Sequence, residues 1–363
     1  MARKKKLKLP TWTHPLAYAG LRTAIACGEL AGVERAAHAM RRAGGSFGGA
    51  KFNQSRLERA ISNIAWSFPE IPATRRRWLA LEAYRHLFGL AAEMAVVPTL
   101  LTAENWPQYI TLKDYTRVTD LMDAKRPLIL IGGHCGNWEL LGQVMAMLGY
   151  PMHALYRPLD MKPVNNWVVR ERARHGIQLI DKFGASDVLP GLMEKGEPIA
   201  FVADQNAGDR GLFVPFFGRL SSAYKSIALL AMRHGAHIAC GHARRVGQTD
   251  GSGPYFRYTI DTVDFFGPDD WERQPDPIYY ITARYRRAIE GMVRLSPEQY
   301  LWMHRYWKSR PRHEREGREF PENLKRKIEA LPWMDEASLD RIVERSAKDA
   351  EEFAARRQTS ART

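Results

Sequence analysis

The sequence predicts an α/β protein whose mostly parallel central sheet is flanked by helices, with a helical N-terminal region and a helical C-terminal tail. Three observations support this fold class. From Asp114 to about residue 310, short apolar runs alternate with amphipathic segments, which is the pattern of βαβ units. Before residue 105, apolar residues recur at helical spacing, and beyond Arg310 two more helical patterns lie in a highly charged segment. The chain therefore divides into residues 1–105, 106–310 and 311–363.

The N-terminal region begins with a basic leader, RKKKLK at residues 3–8. The apolar stretch that follows, residues 14–32, is interrupted by Arg22 and Glu29, so it lacks the roughly 18 uninterrupted apolar residues of a membrane span. We expect the leader to lie on an anionic membrane surface, and the alternative is a solvated tail that precedes a core helix. Helical spacing then continues to about residue 105, including a long helix over 75–97.

The central region carries six apolar runs that predict strands, separated by helical patterns that predict the crossover helices of a parallel sheet. The predicted strands are 127–132, 152–156, 178–180, 198–203, 237–241 and 255–261. The predicted helices are 138–148, 163–175, 186–195, 222–234 and 277–295, the last with a proline suited to its first turn. In the tail, apolar residues within 324–331 and 339–353 predict two amphipathic helices.

The most informative motif is GGHCGNWE at residues 132–139, which directly follows a predicted strand. Its glycines permit a tight turn, and residues 140–148 continue at helical spacing. The carboxyl ends of strands are where α/β enzymes place reactive groups, because backbone N–H groups converge there. Residues five apart on a continuous helix point roughly 140° away from each other. We therefore expect His134 to lie in the turn and Glu139 on the helix that follows.

The chemistry that needs such a pair is proton removal from an alcohol. An imidazole titrates near neutral pH, so it accepts a proton as a nucleophile attacks and returns it to a leaving group. A carboxylate at Glu139 would orient the ring and stabilise its charged form, and backbone N–H groups within 132–136 are candidates for an oxyanion hole. The alternative is a capping or core histidine with an unrelated surface glutamate. The glycines and the flanking strand and helix favour the catalytic interpretation.

Charge and composition limit the partners. There are 54 Lys and Arg residues against 40 Asp and Glu, a net charge of +14, which favours phosphate-bearing partners such as an anionic membrane or an acidic carrier protein. No zinc-finger, helix-turn-helix or RNA-binding motif accompanies this charge, so we expect no nucleic-acid partner. The three cysteines lack disulfide or zinc-ligand spacing, and the histidines at 175, 234, 237 and 242 show no convergent pattern. We expect neither a metal nor a cofactor.

Two arginines are candidates for binding phosphate. Arg157 follows the predicted strand 152–156, at the same sheet edge as His134 if the strands are parallel. Arg172 lies fifteen residues further on, within a basic helical segment. A guanidinium group binds phosphate oxygens through two hydrogen bonds, which suits a phosphorylated glycolipid or the phosphopantetheine arm of a carrier. The neighbouring Arg170 and Arg174 are interpreted as a solvated helix face.

Two further segments lie after predicted strands. Asp204 and Gln205 follow the strand 198–203, where Asp204 would bind a sugar hydroxyl, pair with one of those arginines, or form a purely structural ion pair. The aromatic segment 213–218, with Phe216 and Gly218, suits the wall of an acyl-chain site or a shallow membrane contact. Packing against the core is the alternative for this segment. The residues around His304 are interpreted as structural packing.

Five motifs together carry a resemblance to a known family. GHCGNWE at 133–139, YRP at 156–158, ADQ at 203–205, FVPFFG at 213–218 and PEQYLWMH at 297–304 occur in this order. Over about residues 55–310 the chain resembles the bacterial lipid A biosynthesis acyltransferases, the late lauroyl and myristoyl transferases. The resemblance implies a fold like that of glycerol-phosphate acyltransferases. It also implies transfer of a fatty acyl chain from a thioester, usually on acyl carrier protein, to a glycolipid hydroxyl.

The resemblance assigns roles to individual residues. His134 would be the general base and Glu139 its assistant, and the substrate would contact Arg157, Arg172, Asp204, Gln205, Phe216 and Gly218. Acyl-coenzyme A is the alternative donor, and phosphatidylinositol mannoside, a lysophospholipid or an amino-lipid are alternative acceptors. The expected location is the cytoplasmic face of the bacterial inner membrane, with peripheral or monotopic attachment. A thioesterase is a further alternative, and the absence of a Gly-x-Ser-x-Gly motif disfavours a serine mechanism for it.

Overall fold

The computed structural model of the protein describes residues 14–174 and 176–361, so the basic leader and His175 lie outside the described residues. Its strands are β1 (Ile110–Lys113), β2 (Leu128–Gly132), β3 (Met152–Tyr156), β4 (Ile177–Asp181), β5 (Ile199–Val202), β6 (Leu212–Phe216), β7 (Arg219–Ala223), β8 (His237–Arg245) and β9 (Tyr258–Phe266). Its helices are α1 (His14–Ala31), α2 (Val33–Gly49), α3 (Gln54–Ser67), α4 (Ala73–Leu100), α5 (Thr116–Asp123), α6 (Trp138–Met147), α7 (Lys162–Arg174), α8 (Ala185–Glu194), α9 (Lys225–His234), α10 (Pro268–Trp271), α11 (Pro277–Leu295), α12 (Arg312–Glu316), α13 (Glu322–Glu329) and α14 (Glu336–Ala361).

The predicted fold class is confirmed. Seven strands form one sheet in the order β1-β9-β8-β2-β5-β3-β4, in which β8–β9 is the antiparallel pair. The other neighbouring strands run parallel, and the stretches of chain that connect the two strands of each such pair contain helices, as parallel pairing requires. Strand β5 lies between β2 and β3, so the carboxyl ends of these three strands meet at the centre of one sheet edge.

Three local features differ from what the sequence predicts. The last predicted strand, 255–261, forms at 258–266 and runs antiparallel to β8. Strand β1 was not predicted, because four residues with mixed burial carry little pattern. The segment 212–223, expected as a loop and the start of a helix, forms the hairpin β6–β7. Its two-residue turn is Phe217-Gly218, both with positive φ (53° and 65°), a turn type that matches the twist of the strands.

The sheet is covered on both faces, which explains the continuous apolar runs of its strands. On one face, Ile129 and Ile131 of β2 belong to a core that includes residues of α8, α9 and α11. On the other face, Leu128 and Leu130 belong to a core with residues of α5 and α6. Side chains alternate along β2, so one strand contributes to both cores.

The N-terminal helices pack onto the edge of this sheet. Helix α2 lies against α4, and glycines make the close approach feasible, because a Cβ added at Gly44 would meet the carbonyl oxygen of Tyr84 at 2.6 Å. Val96 and Val97 at the C-terminal end of α4 share a core with residues of α6 and β9. Among the described residues, no helix combines the length and apolar character required to cross a bilayer. The division at residues 105 and 310 stays a prediction.

The two helices predicted for the tail are confirmed as α13 and α14. The tail is attached to the core through buried charges. Asp349 of α14 accepts two 2.7 Å hydrogen bonds from Arg219 at the start of β7 and a third of 2.6 Å from Arg310. Asp349, Arg219 and Arg310 are all buried. The charged extension therefore folds back onto the hairpin.

Candidate active site

His134 lies in the turn between β2 and α6, as the sequence predicts. Neighbouring segments hold this turn. The N–H of Leu301 donates to the carbonyl of His134 at 3.1 Å. Gly136 has a φ of 62°, and a Cβ there would meet the carbonyl oxygen of Ala243 at 2.0 Å, so only glycine fits. The ring of His86 bonds to the Gly136 carbonyl at 3.0 Å, which connects the turn to α4.

Asp204 is the carboxylate that orients the imidazole. Its Oδ1 lies 2.7 Å from Nδ1 of His134, and its Oδ2 accepts the backbone N–H of His134 at 3.0 Å. Asp204 follows β5, the strand beside β2, and is fully buried. Arg286 donates to the Asp204 carbonyl at 2.6 Å and so fixes the backbone that carries the carboxylate.

The charges of this pair reinforce each other. Burial alone lowers the pKa of His134, but the charge and hydrogen bond of Asp204, with a smaller contribution from Glu139, outweigh it and raise the pKa above its ordinary value. Burial alone raises the pKa of Asp204, but the charge and hydrogen bond of His134 hold it well below its ordinary value. Asp204 is therefore an ionised acceptor, and the Nδ1–H of His134 donates to it.

With its proton on Nδ1, His134 presents the lone pair of Nε2 to its surroundings. The amide nitrogen of Gln205 donates to Nε2 at 3.4 Å. The rings of Trp138 and His304 flank the imidazole at centroid distances of 4.9 and 5.0 Å. Burial, together with the neighbouring charges of His134 and Arg59, lowers the pKa of His304 to about 4, so His304 is neutral at pH 7.

Glu139 lies on α6 as predicted, but its partner differs from the predicted one. Nε of Arg172 donates to its Oε2 at 2.8 Å, Nη2 of Arg172 lies closely against its Oε1, and Nε1 of Trp138 donates to Oε1 at 3.1 Å. The ring hydrogen bond expected of Glu139 is made by Asp204 instead. Glu139 acts on His134 through its charge. Arg172, expected to bind phosphate, is occupied by this ion pair.

The remaining predicted residues separate into two groups. Arg157 is exposed just after β3, and with Gln205 it borders the cavity next to His134. Phe216 is fully buried, with the guanidinium carbon of Arg286 4.0 Å from its ring centroid. Gly218 occupies the hairpin turn, with no atom within 4 Å of the position of a Cβ. Neither Phe216 nor Gly218 borders the cavity; the burial of Phe216 favours the core-packing alternative for that residue, whereas Gly218 is exposed in the turn.

Two of the proposed backbone donors of the turn, those of His134 and Gly136, are engaged, as is the N–H of Asn137 that follows them. The N–H of His134 donates to Asp204, that of Gly136 to the carbonyl of Gln299 at 3.0 Å, and that of Asn137 to the carbonyl of Ala243 at 2.8 Å. These bonds fix the shape of the turn. The N–H groups of His134 and Gly136 are therefore committed within the protein, and the side-chain amide of Gln205, which lies beside the base, is a further candidate donor to an oxyanion.

A cavity of about 700 Å³ opens next to His134. Its polar end contains His134, Arg157, Gln205 and Tyr224. Its apolar floor is one row across the face of the sheet, formed by Leu179, Ala154, Ala200, Leu130 and Ala239 on five adjacent strands. Three of these five residues are alanines, which leaves space for an apolar ligand. Within the described residues, no three His, Cys, Asp or Glu side chains converge as metal ligands.

These features define a class of protein: an α/β enzyme with an imidazole–carboxylate pair at the edge of its sheet, beside an apolar cavity. Residues 2–309 match the family model described as bacterial lipid A biosynthesis acyltransferase. The chain belongs to this family and is an acyltransferase.

Named relatives support the assignment. The lipid A biosynthesis palmitoleoyltransferase of Escherichia coli (strain K12) is 29% identical over 269 residues, which cover 72% of this chain and 81% of that protein. The lipid A biosynthesis lauroyltransferase of the same strain is 26% identical over 266 residues, 72% of this chain and 82% of that protein. The lipid A biosynthesis acyltransferase of Haemophilus influenzae (strain ATCC 51907 / DSM 11121 / KW20 / Rd) is 24% identical over 267 residues, with 72% and 80% coverage.

Proposed function

We propose that this acyltransferase moves a fatty acyl chain from a thioester to a hydroxyl of a membrane glycolipid such as a lipid A precursor. The observation that carries the proposal is the His134–Asp204 pair, whose basic nitrogen Nε2 faces Gln205 at the mouth of the cavity. The relatives named above act in lipid A biosynthesis, and they support this acceptor.

The proposed reaction is a direct transfer. Nε2 of His134 removes the proton of the acceptor hydroxyl as its oxygen attacks the thioester carbonyl, and Asp204 stabilises the resulting imidazolium. The tetrahedral intermediate then expels the thiolate, and the imidazolium returns its proton to the sulfur. The acceptor hydroxyl would replace the Gln205 amide at Nε2, and that amide, released from the ring, would donate to the developing oxyanion. A positioned general base typically contributes about 10²–10⁴-fold to the rate.

Glu139 assists this base indirectly in the proposal. Its charge raises the pKa of His134, while Arg172 fixes its position through two hydrogen bonds. Glu139 and Arg172 both border the cavity. The pair thus forms part of the wall that a substrate would contact, and the contact of Arg172 with a phosphate would compete with Glu139.

The acyl chain would occupy the apolar part of the cavity. The row of small residues leaves room beneath α6, where Gly142 and Met145 also border the cavity. Cavities of this size and character accommodate apolar ligands with a few polar groups at one end. The thioester carbonyl would then lie at the polar end beside His134.

The donor would be acyl carrier protein, with acyl-coenzyme A as the alternative, because both are acidic and the chain carries a net charge of +14. The same charge supports attachment to an anionic bilayer, and we place the enzyme on the cytoplasmic face of the bacterial inner membrane as a peripheral or monotopic protein.

The test is mass spectrometry of membrane lipids from cells with the protein, without it, and with the His134→Ala variant. We expect one glycolipid to lose one acyl chain in the absence of the protein, and to regain it only with the unmutated protein. A matched His234→Ala variant, changed on α9 at a partly buried position outside the cavity lining, should restore the chain. An unchanged set of lipids would contradict the proposed acceptor.

A further inference from the structure

Three arginines gather beside the catalytic turn on the side of α3. Arg56 and Arg59 lie one helical turn apart on α3, and Arg305 follows the segment that carries His304. We call Arg56, Arg59 and Arg305 the arginine cluster. It is distinct from Arg157 and Arg172, which border the cavity, because none of its members does.

Contacts between α3 and the segment 302–304 place the cluster next to the base. Nη1 of Arg59 donates to the carbonyl of Met303 at 3.3 Å. Asn63, one turn further along α3, donates to the carbonyls of Trp302 and His304 at 2.8 and 2.9 Å. The His304 ring in turn lies 5.0 Å from that of His134. Arg59 and Arg305 therefore lie at the segment that carries His304, whose ring neighbours the imidazole of His134.

The cluster lacks neutralising partners. Arg56 donates to the amide oxygen of Asn53 at 3.4 Å, and Arg59 to a backbone carbonyl. Over the part of the chain that the structure describes, no member forms an ion pair with a carboxylate. Arg172, in contrast, is neutralised by Glu139.

The like charges also act on one another. Burial lowers the pKa of Arg59, and the charges of Arg305 and Arg56 lower it further. Mutual repulsion of this kind costs free energy that a bound anion would relieve. Guanidinium groups suit phosphate in particular, since each presents two parallel N–H donors to two oxygens.

We propose that Arg56, Arg59 and Arg305 form a phosphate-binding site that positions one substrate beside His134. The proposal rests on the acyl transfer proposed above, because that reaction has two substrates with phosphate groups. One is a phosphorylated glycolipid acceptor, and the other is the phosphopantetheine arm of the donor. The chemistry of the cluster is the same for both, so the experiment must distinguish them.

The test is calorimetric titration of the purified full chain with two soluble probes. One is a glucosamine disaccharide that carries phosphate monoesters, and the other is coenzyme A. We expect Arg59→Gln to weaken the binding of one probe about tenfold, the loss typical of a charge-assisted hydrogen bond. The probe that loses affinity identifies the substrate. Arg56→Gln and Arg305→Gln change exposed positions and should weaken the binding of the same probe. They therefore test the site even if Arg59→Gln impairs folding.

The matched control is Arg233→Gln, which removes the same charge from the C-terminal end of α9. It should leave both affinities unchanged. Equal losses of affinity in Arg233→Gln and Arg59→Gln would show a general charge effect and overturn the proposed site. Unchanged affinities in all three cluster variants would also overturn it, as would a wild-type protein that binds neither probe. The His134→Gln variant should bind the probe with wild-type affinity. Phosphate binding at the cluster can therefore be confirmed or overturned separately from the proposed acyl transfer.

Discussion

At the scale of the residue, the catalytic hypothesis depends on which carboxylate meets the imidazole. Asp204 holds Nδ1 of His134 at 2.7 Å and is itself held through its backbone carbonyl by Arg286. Glu139 is paired with Arg172 and adds charge without a hydrogen bond to the ring. The structure therefore supports two unequal contributions, with Asp204 the larger.

The pH dependence of the reaction should reflect this order. A general base works when neutral, so kcat/KM should fall as the pH drops through a His134 pKa that lies above its ordinary value. Asp204→Asn removes the largest contribution that raises the pKa of His134 and leaves burial, which lowers it. The fall of kcat/KM at acidic pH should therefore move to lower pH in this variant. Glu139→Gln should move it in the same direction by less. A fall that stays in place or moves to higher pH in Asp204→Asn would contradict the assignment.

The sequence predicted the location of His134 correctly, but it did not predict which carboxylate bonds to its ring. Glycines at a strand end and a helical pattern after them sufficed to place His134 in the turn. The identity of the carboxylate that bonds to the His134 ring depends on which strands are neighbours in the sheet. Strand β5 lies between β2 and β3, although it follows both in the chain. Asp204 was recognised as a site residue, but its contact with His134 requires that topology. Nothing in the local sequence indicated it.

At the scale of the element, the hairpin β6–β7 places Phe216 and Gly218 outside the lining of the cavity. Side chains of β6 alternate, and Val214 and Phe216 are fully buried, while Phe217-Gly218 forms the turn. The aromatic composition that suggested an acyl-chain wall arises from packing of the hairpin against α11, where Arg286 lies over Phe216. The pairing of β6 with β7, which the sequence does not show, is what distinguishes core packing from an acyl-chain wall for this segment.

Gly218→Ala tests whether this turn contacts the substrate. Gly218 has a φ of 65°, so a Cβ there should lower the free energy of unfolding by about 1 kcal/mol through backbone strain. The value of kcat/KM should not change, because the turn lies away from the cavity. Gly20→Ala, in open space on α1, is the control and should not destabilise the protein. A large loss of kcat/KM in a folded Gly218→Ala variant would restore the substrate-contact interpretation.

The apolar row that forms the floor of the cavity gives a second prediction at this scale. Ala200 is central in the row, between Ala154 and Leu130. Ala200→Leu adds three carbons to the floor of the cavity, so kcat/KM should fall more for a long acyl donor than for a short one. The ratio of the two values, measured for wild type and variant, checks this. Equal losses for both donors would show that the chain does not reach the row.

At the scale of the whole molecule, the C-terminal tail is integrated through a buried ionic contact. The sequence predicted its two helices from apolar spacing, but the attachment joins residues 130 positions apart and is absent from any local pattern. Arg219 was likewise an unremarkable position in the sequence. The prediction of fold class succeeded because alternation of strands and helices is local, whereas strand order and tail docking are not.

Asp349→Ala should destabilise the whole chain. It leaves Arg219 buried without the carboxylate that it pairs with, while Arg310 keeps its pair with Glu314, and breaking a buried pair in this way typically costs about 3–5 kcal/mol. Denaturant unfolding measures the effect. Asp340→Ala, at an exposed position on the same helix, should change the free energy of unfolding little. Equal stability of the two variants would mean that the tail contact contributes nothing.

The central claim is that His134 is the base for acyl transfer, and its most direct test is the rate of transfer by purified protein. The assay supplies an acyl thioester and a phosphorylated glucosamine lipid, and mass spectrometry follows the product that gains one acyl chain. We expect His134→Gln to lower the rate at least about 10²-fold while the protein stays folded. A folded His134→Gln variant that transfers acyl chains within tenfold of the wild-type rate would contradict the account.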